Sequence, residues 1–222
     1  MISNFGSKME WEEHCRSSSA NYLKLPHFRK WIKSGKIHII DFSGLGSSGI
    51  SFLRSGLKEA IALTGKKFKI IEAKNKKNYR VFFDSCISKN TLASKKLLRK
   101  AMNDRKRRNR ECADIFITKC RIKSNHDTIK DGEALTFIKE GIVMFSFDEN
   151  VKYPKSFLKR RGKHEAFHLF GLNAHHEAIR VHGYRNDRPC IMRYNAPVDR
   201  ICPKCHAGIQ SFWSGLRDER TN

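Results

Sequence analysis

The segment His164-Glu165-Ala166-Phe167-His168-Leu169-Phe170-Gly171-Leu172-Asn173-Ala174-His175-His176 constrains the chain more than any other. His164 and His168 are four residues apart. On a helix that spacing stacks both rings on one face, about one turn or ~5.4 Å apart, where two imidazoles can hold one metal ion. Glu165 adjoins the first ring, placed so that its carboxylate reaches a metal-activated water without being a ligand itself. Gly171 permits the left-handed backbone that ends a helix. The chain can then turn back and offer His175 or His176 as a third nitrogen, and the set reads as a zinc site.

A helix that merely carries two histidines is the plainer interpretation, and the rest of the sequence argues against it. Cys190-Ile-Met192 begins fourteen residues after His176, and Cys202-Pro-Lys-Cys205 begins ten residues after Met192. Two thiolates at Cys-x-x-Cys spacing make a zinc knuckle, and Cys190 is a third sulfur ligand. A tetrahedral structural site needs a fourth ligand. His176 is the first choice, with His206 and His182 as alternatives. The pair lacks the strand-to-helix setting of a redox Cys-x-x-Cys. Two zinc ions per chain are therefore expected.

The seven cysteines are an odd number in a chain of 222 residues, which favours metal ligation in a reducing compartment over a disulfide framework. Cys112 and Cys120, read as lying on one strand ~26 Å apart, cannot pair. The length suits one main domain. No signal-peptide pattern opens the chain, and nowhere do 18 apolar residues run together. A soluble, cytoplasmic protein without membrane contact is the expectation, with a monomer as the default. The net charge of +23 bears on partners rather than on fold. Nine Lys or Arg residues crowd Lys95 to Arg110. Such a face can contact nucleic-acid phosphates, although it lacks interleaved aromatics and reads equally as a solvated helix face.

Along the chain, the first thirty-odd residues carry Trp11, Tyr22, Phe28 and Trp31 without a clear period and read as an N-terminal extension of uncertain order. Lys36 to Phe42 reads as a strand, followed by a glycine-rich loop that lacks the Gly-Lys-Ser/Thr ending of a phosphate-binding loop. Ile50, Leu53, Leu57, Ala60 and Ile61 predict an amphipathic helix capped by Ser48 and ended by Gly65. Phe68 to Ala73 reads as a second strand, parallel to the first, and Tyr79 to Phe83 as a further short one. Thr91 to about Asn109 is predicted helical, and Asp114 to Thr118 a strand. Ala134 to Ile138 and Ile142 to Phe147 predict a hairpin whose exposed edge can take an extended peptide. The motif helix is predicted from Pro154 or Lys155 to Gly171, although Gly162 interrupts it.

In combination these features resemble the metzincin metallopeptidases, and within them the archaemetzincins. Their pattern joins His-Glu-x-x-His-x-x-Gly-x-x-His, an immediately following Cys, a Cys-x-Met segment and a later Cys-x-x-Cys. The match is strong over Phe157 to Cys205, and over Lys36 to Asn150 it is one of element order. The resemblance implies an α/β (α+β) fold, a twisted mixed sheet with an antiparallel edge strand packed on helices that include the zinc-binding helix. It divides the chain into an extension (1–34), a catalytic subdomain with the sheet and active-site helix (35–172) and a small zinc-stabilised C-terminal subdomain (173–222). It further implies peptide-bond hydrolysis of a peptide or protein substrate, with Glu165 as general base. The catalytic zinc falls on His164, His168 and a third histidine from the His175-His176 pair, with Met192 in the turn beneath it. The structural zinc falls on Cys190, Cys202 and Cys205.

Three features depart from the family pattern. Ala174 stands where the family has its third histidine, and His176 where it has cysteine. The spacings on either side of Met192 also differ. Tyr194, two residues after Met192, resembles an astacin-like arrangement in which a tyrosine at that place can approach the metal, although it reads first as a buried turn aromatic. A second function class stays open, a nucleic-acid-associated zinc protein, either a binding module or a protease acting on DNA- or RNA-bound proteins. Salt-sensitive nucleic-acid binding without hydrolysis would mark the module.

Overall fold

The computed structural model describes residues 2–73, 75–124, 128–129, 133–172, 175–185, 188–193 and 197–218. The N-terminal stretch, expected to be of uncertain order, forms β1 (Ser3–Phe5) and helices α1 (Lys8–Leu23) and α2 (Pro26–Ser34). Ser7 caps α1, its Oγ accepting from the Glu10 amide at 3.1 Å. That helix buries only Trp11, Cys15 and Ser19, one residue per turn and one of them polar. So narrow a stripe leaves no apolar period to read.

The next strand, β2 (Lys36–Phe42), is followed by α3 (Gly46–Leu63) and β3 (Lys69–Glu72), and β2 and β3 pair in parallel as expected. Helix α3 begins two residues ahead of Ser48 and receives no side-chain cap. Tyr79 to Phe83, expected as a strand, belongs instead to α4 (Lys77–Phe83). Tyr79 and Phe83 are buried four residues apart while Val81 between them is 83% exposed, which is helical spacing. Two short strands, β4 (Ile87–Ser88) and β5 (Thr91–Ala93), precede α5 (Ser94–Arg107), so the predicted helix loses its first three residues to β5. Then come β6 (Ala113–Thr118), β7 (Arg121–Lys123), β8 (Thr128–Ile129), the hairpin strands β9 (Ala134–Phe137) and β10 (Ile142–Ser146), α6 (Lys155–Leu169), β11 (Ile179–Val181) and α7 (Pro203–Asp218).

The main sheet has strand order β3-β2-β6-β10-β9, parallel except for β9, which pairs antiparallel with β10 at the edge. Its central strands are buried on both faces and alternate between two cores. Ile37, Ile39, Ile115, Ile117, Val143 and Phe145 face the core that includes α1, α2, α3, α6 and α7. Ile40, Phe116, Ile142 and Met144 face the core under α4, α5 and the small β4-β5-β7-β8 sheet.

Two glycines explain the interrupted motif helix. A Cβ on Gly162 of α6 would lie 2.3 Å from the Leu53 carbonyl oxygen, and one on Gly56 of α3 would lie 2.0 Å from that of Lys159. The two helices thus meet backbone to backbone, and Gly162 is a contact point rather than a break. At the other end of the chain, α7 lies against α1, where Trp11 Nε1 donates to the Lys204 carbonyl at 2.9 Å, and β1 pairs with β11 in parallel. No helix among the described residues is long and apolar enough to cross a membrane.

Candidate metal centres

Helix α6 begins after Pro154, runs as predicted and presents His164 and His168 on one face. Gly171, at φ +116°, reverses the chain, and a Cβ there would lie 2.5 Å from the Phe212 ring. Both the turn and the close approach call for glycine. The reversal brings His175 to the two helix histidines. Ring centroids are 4.8 Å apart for His164 and His168, 5.3 Å for His164 and His175, and 5.0 Å for His168 and His175. One ring nitrogen from each lies within 4.8 Å of the others.

The outer nitrogens of the two helix histidines are fixed by backbone. His164 Nδ1 meets the Ile191 carbonyl at 2.7 Å and His168 Nδ1 the Leu172 carbonyl at 2.5 Å. A carbonyl only accepts, so each Nδ1 carries the proton and each Nε2 turns a lone pair inward. Those Nε2 atoms lie 3.1 Å apart. Two lone pairs at that distance repel unless a cation sits between them, and two nitrogens on one tetrahedral zinc lie about 3.3 Å apart. Burial holds all three histidines below their usual range, with the charge of neighbouring histidines adding to it. They are therefore neutral at pH 7, the form that ligates a metal. The residues fit zinc.

Glu165 is buried beside this trio, its Oε1 3.9 Å from His164 Nε2. Its Oε2 accepts from Thr136 Oγ1 at 2.7 Å. Burial pushes the carboxyl up, but His164, His168 and the Thr136 hydroxyl outweigh it and hold the group below the usual carboxylate range. Glu165 is thus an oriented anion. Thr136 lies on the edge strand β9, 29 residues away in sequence, and no local pattern signals it.

The second grouping joins His176, Cys190, Cys202 and Cys205, all buried, with their ligand atoms within 4.8 Å of one another. His176 Nδ1 is 3.3 Å from Cys202 Sγ and 3.6 Å from Cys205 Sγ. Sulfur and nitrogen on one tetrahedral zinc lie about 3.6 Å apart. Hydrogen bonds from Cys190 and Cys205 hold Cys202 far below the ordinary thiol range, while Cys205 is pushed up. One thiolate is thus already favoured, and four closed, buried ligands are the pattern of a structural rather than a catalytic zinc. The adjacent histidines therefore part company, His175 joining the helix pair and His176 the cysteines. His182 and His206 are outside this cluster.

The sequence did not signal Lys204, which is 1% exposed. Its ammonium donates to the carbonyls of His176 at 3.1 Å and Ile179 at 2.5 Å. Three thiolates, a neutral imidazole and Zn²⁺ sum to one negative charge, which this buried cation is placed to offset. Met192 is fully buried, and its carbonyl accepts from the His176 amide at 2.9 Å. Tyr194 lies outside the described residues.

A third grouping of ligand types, His38, Cys112 and Asp114, has a different explanation. Arg105 Nε donates to Asp114 Oδ2 at 2.7 Å and Arg110 Nη1 to Oδ1 at 3.2 Å. A cation there would face two guanidinium charges. This also revises the basic run, since Arg105 and Arg110 are members of a buried ion cluster with Asp114 and Asp104 rather than part of a solvated face.

No model of a known protein family matches the sequence, and no curated protein matches it. Among solved structures, the chain is similar to archaemetzincin from Methanopyrus kandleri, at 15% sequence identity and a TM-score of 0.54. The match covers 82% of this chain and 95% of that one. The chain thus has the archaemetzincin-like mixed α/β fold.

Proposed function

We propose that this chain is a zinc-dependent peptidase. In this reading His164, His168 and His175 hold the catalytic zinc, and His176, Cys190, Cys202 and Cys205 hold a structural one. The observation that carries it is the convergence of His175 on the two helix histidines, with the oriented carboxylate of Glu165 beside them. The fold shared with archaemetzincin supports it.

When bound, zinc supplies a Lewis acid that polarises a peptide carbonyl and makes a water acidic near neutral pH. The chain's own residues do the rest. Glu165 Oε1 takes the proton of the attacking water, while the Thr136 hydroxyl holds Oε2 and so fixes which oxygen acts. The same oxygen then delivers the proton to the leaving amine. The carbonyls of Ile191 and Leu172 keep the His164 and His168 rings turned inward throughout. Among the described residues β9 is the edge strand and can pair with an extended peptide, and because Thr136 sits on β9, a chain laid along it passes Glu165.

The test is Glu165→Gln in zinc-loaded protein, assayed on a mixed peptide pool by mass spectrometry. Hydrolysis is expected to fall about 10²–10⁴-fold, the weight of a general base, with zinc content unchanged. Undiminished cleavage by the variant would refute the proposal.

A further inference from the structure

Beside His164 lies a cavity of about 200 Å³, walled by Phe157, Arg160 and Arg161 of α6 and by Ile191 and Arg193 of the segment around Met192. Among the described residues three arginines and no carboxylate line it. Two acids beside α6 are engaged by its lysines. Glu59 and Asp199 are bound by Lys159 at 2.6 and 3.4 Å, and by Lys163 at 3.1 and 3.2 Å. No ion pair among the described residues engages Arg160 or Arg161. Arg161 stacks on the Phe157 ring at 5.4 Å, which fixes its guanidinium at the pocket wall.

His164 contributes one wall of the cavity and one nitrogen of the candidate metal site. Whatever fills the cavity belongs to a residue flanking the scissile bond.

We infer that this cavity is a specificity subsite for a carboxylate of the peptide substrate, lined by Arg160, Arg161 and Arg193. The inference rests on the peptidase reading. Guanidinium forks match a carboxylate in a bidentate geometry that an amide or an ammonium cannot reproduce. The volume holds a single side chain, not a folded partner. The carboxylate comes from an Asp or Glu side chain or from the free C-terminus of a short peptide, and the two sources are separable.

The experiment uses the full-length zinc-loaded protein and matched peptides that differ only in Glu, Gln or Lys beside the cleaved bond, each with a free or an amidated C-terminus. At one flanking position kcat/KM for Glu is expected to exceed that for Gln by about tenfold or more, the effect of one charge-assisted hydrogen bond. Arg161→Gln collapses that ratio, and Arg161→Glu turns it toward Lys. Arg160→Gln, on the same wall, is a second variant in case the first unfolds, and melting curves accompany both. A preference for the free over the amidated terminus, without a Glu effect, identifies the terminal carboxylate as the ligand. Equal rates for all peptides overturn the subsite and leave the peptidase reading standing. Binding to zinc-loaded Glu165→Gln, followed by fluorescence anisotropy, decides the case in which wild type cleaves nothing. Carboxylate-selective binding lost in Arg161→Gln then keeps the subsite and removes the peptidase reading, and unselective binding removes both.

Discussion

Gly162→Ala is a substitution for which helix propensity and packing predict opposite signs. Removing a glycine from a helix interior stabilises by about 1 kcal/mol. The new Cβ would stand 2.3 Å from the Leu53 carbonyl oxygen, so α6 and α3 must separate by about 1 Å to restore ordinary contact. A backbone carbonyl has no rotamer through which to escape, and overpacking of this kind costs about 1–3 kcal/mol, with the upper end expected here. The net effect is about 2 kcal/mol of destabilisation, or about 4–8 °C in melting temperature for a chain of this size. His164 lies two residues further along α6 and moves with it, so zinc affinity measured by chelator competition should fall with the melting temperature. Gly56→Ala presses on the same crossing from the other side, 2.0 Å from the Lys159 carbonyl oxygen. Once the helices have parted the second methyl costs less, and the double variant should lose less than the sum of the single ones. An unchanged or raised melting temperature for Gly162→Ala would refute the packing argument.

Metal content provides a second check. Wild type should carry two zinc ions per chain by elemental analysis, and His175→Ala and His176→Ala should each carry one. His176→Ala alone should lower the melting temperature substantially, because its site ties Cys190, Cys202 and Cys205 together; equal melting temperatures for the two variants would contradict the division into a catalytic and a structural site. The buried Asp114 cluster predicts an acid limit. Burial pushes the Asp114 carboxyl up, but Arg105 and Arg110 hold it below the usual carboxylate range. A depressed folded value means the stability is fully present above the unfolded value of about 3.9 and is lost as pH falls through the folded one. Urea midpoints should therefore drop below about pH 4, and Asp114→Asn should flatten that part of the slope; an identical slope in the variant would assign acid sensitivity elsewhere.

The features legible in the sequence are those set by local geometry. The four-residue spacing of His164 and His168, the Cys202-Pro-Lys-Cys205 pair, the hairpin over β9 and β10 and the parallel β2-α3-β3 unit all rest on periods of one turn or one pleat. The same logic failed where the period was thin. Helix α1 buries one residue per turn, and one of these is Ser19, which lies 2.3 Å from where a Cβ on Gly215 would stand. It is held by α7 from the far end of the chain, not by an apolar stripe of its own. Tyr79 to Phe83 looked like a strand because aromatics and valine favour strands, and only its burial reveals the helical spacing.

The contacts that orient the site also lay beyond the reach of sequence. Thr136 and Glu165 are 29 residues apart, His164 and Ile191 27, and the Lys204 ammonium reaches the Ile179 carbonyl across 25. The His175-His176 pair shows the division most clearly. His175 sits in extended backbone, φ −69° and ψ 157°, where successive side chains point to opposite sides. Sequence and stereochemistry alone marked two candidate sets of metal-binding residues, with the adjacent His175 and His176 to be divided between them. Which histidine faces which set was decided by tertiary structure, because the reversal at Gly171, wedged against Phe212 of α7, sets the direction in which that backbone enters.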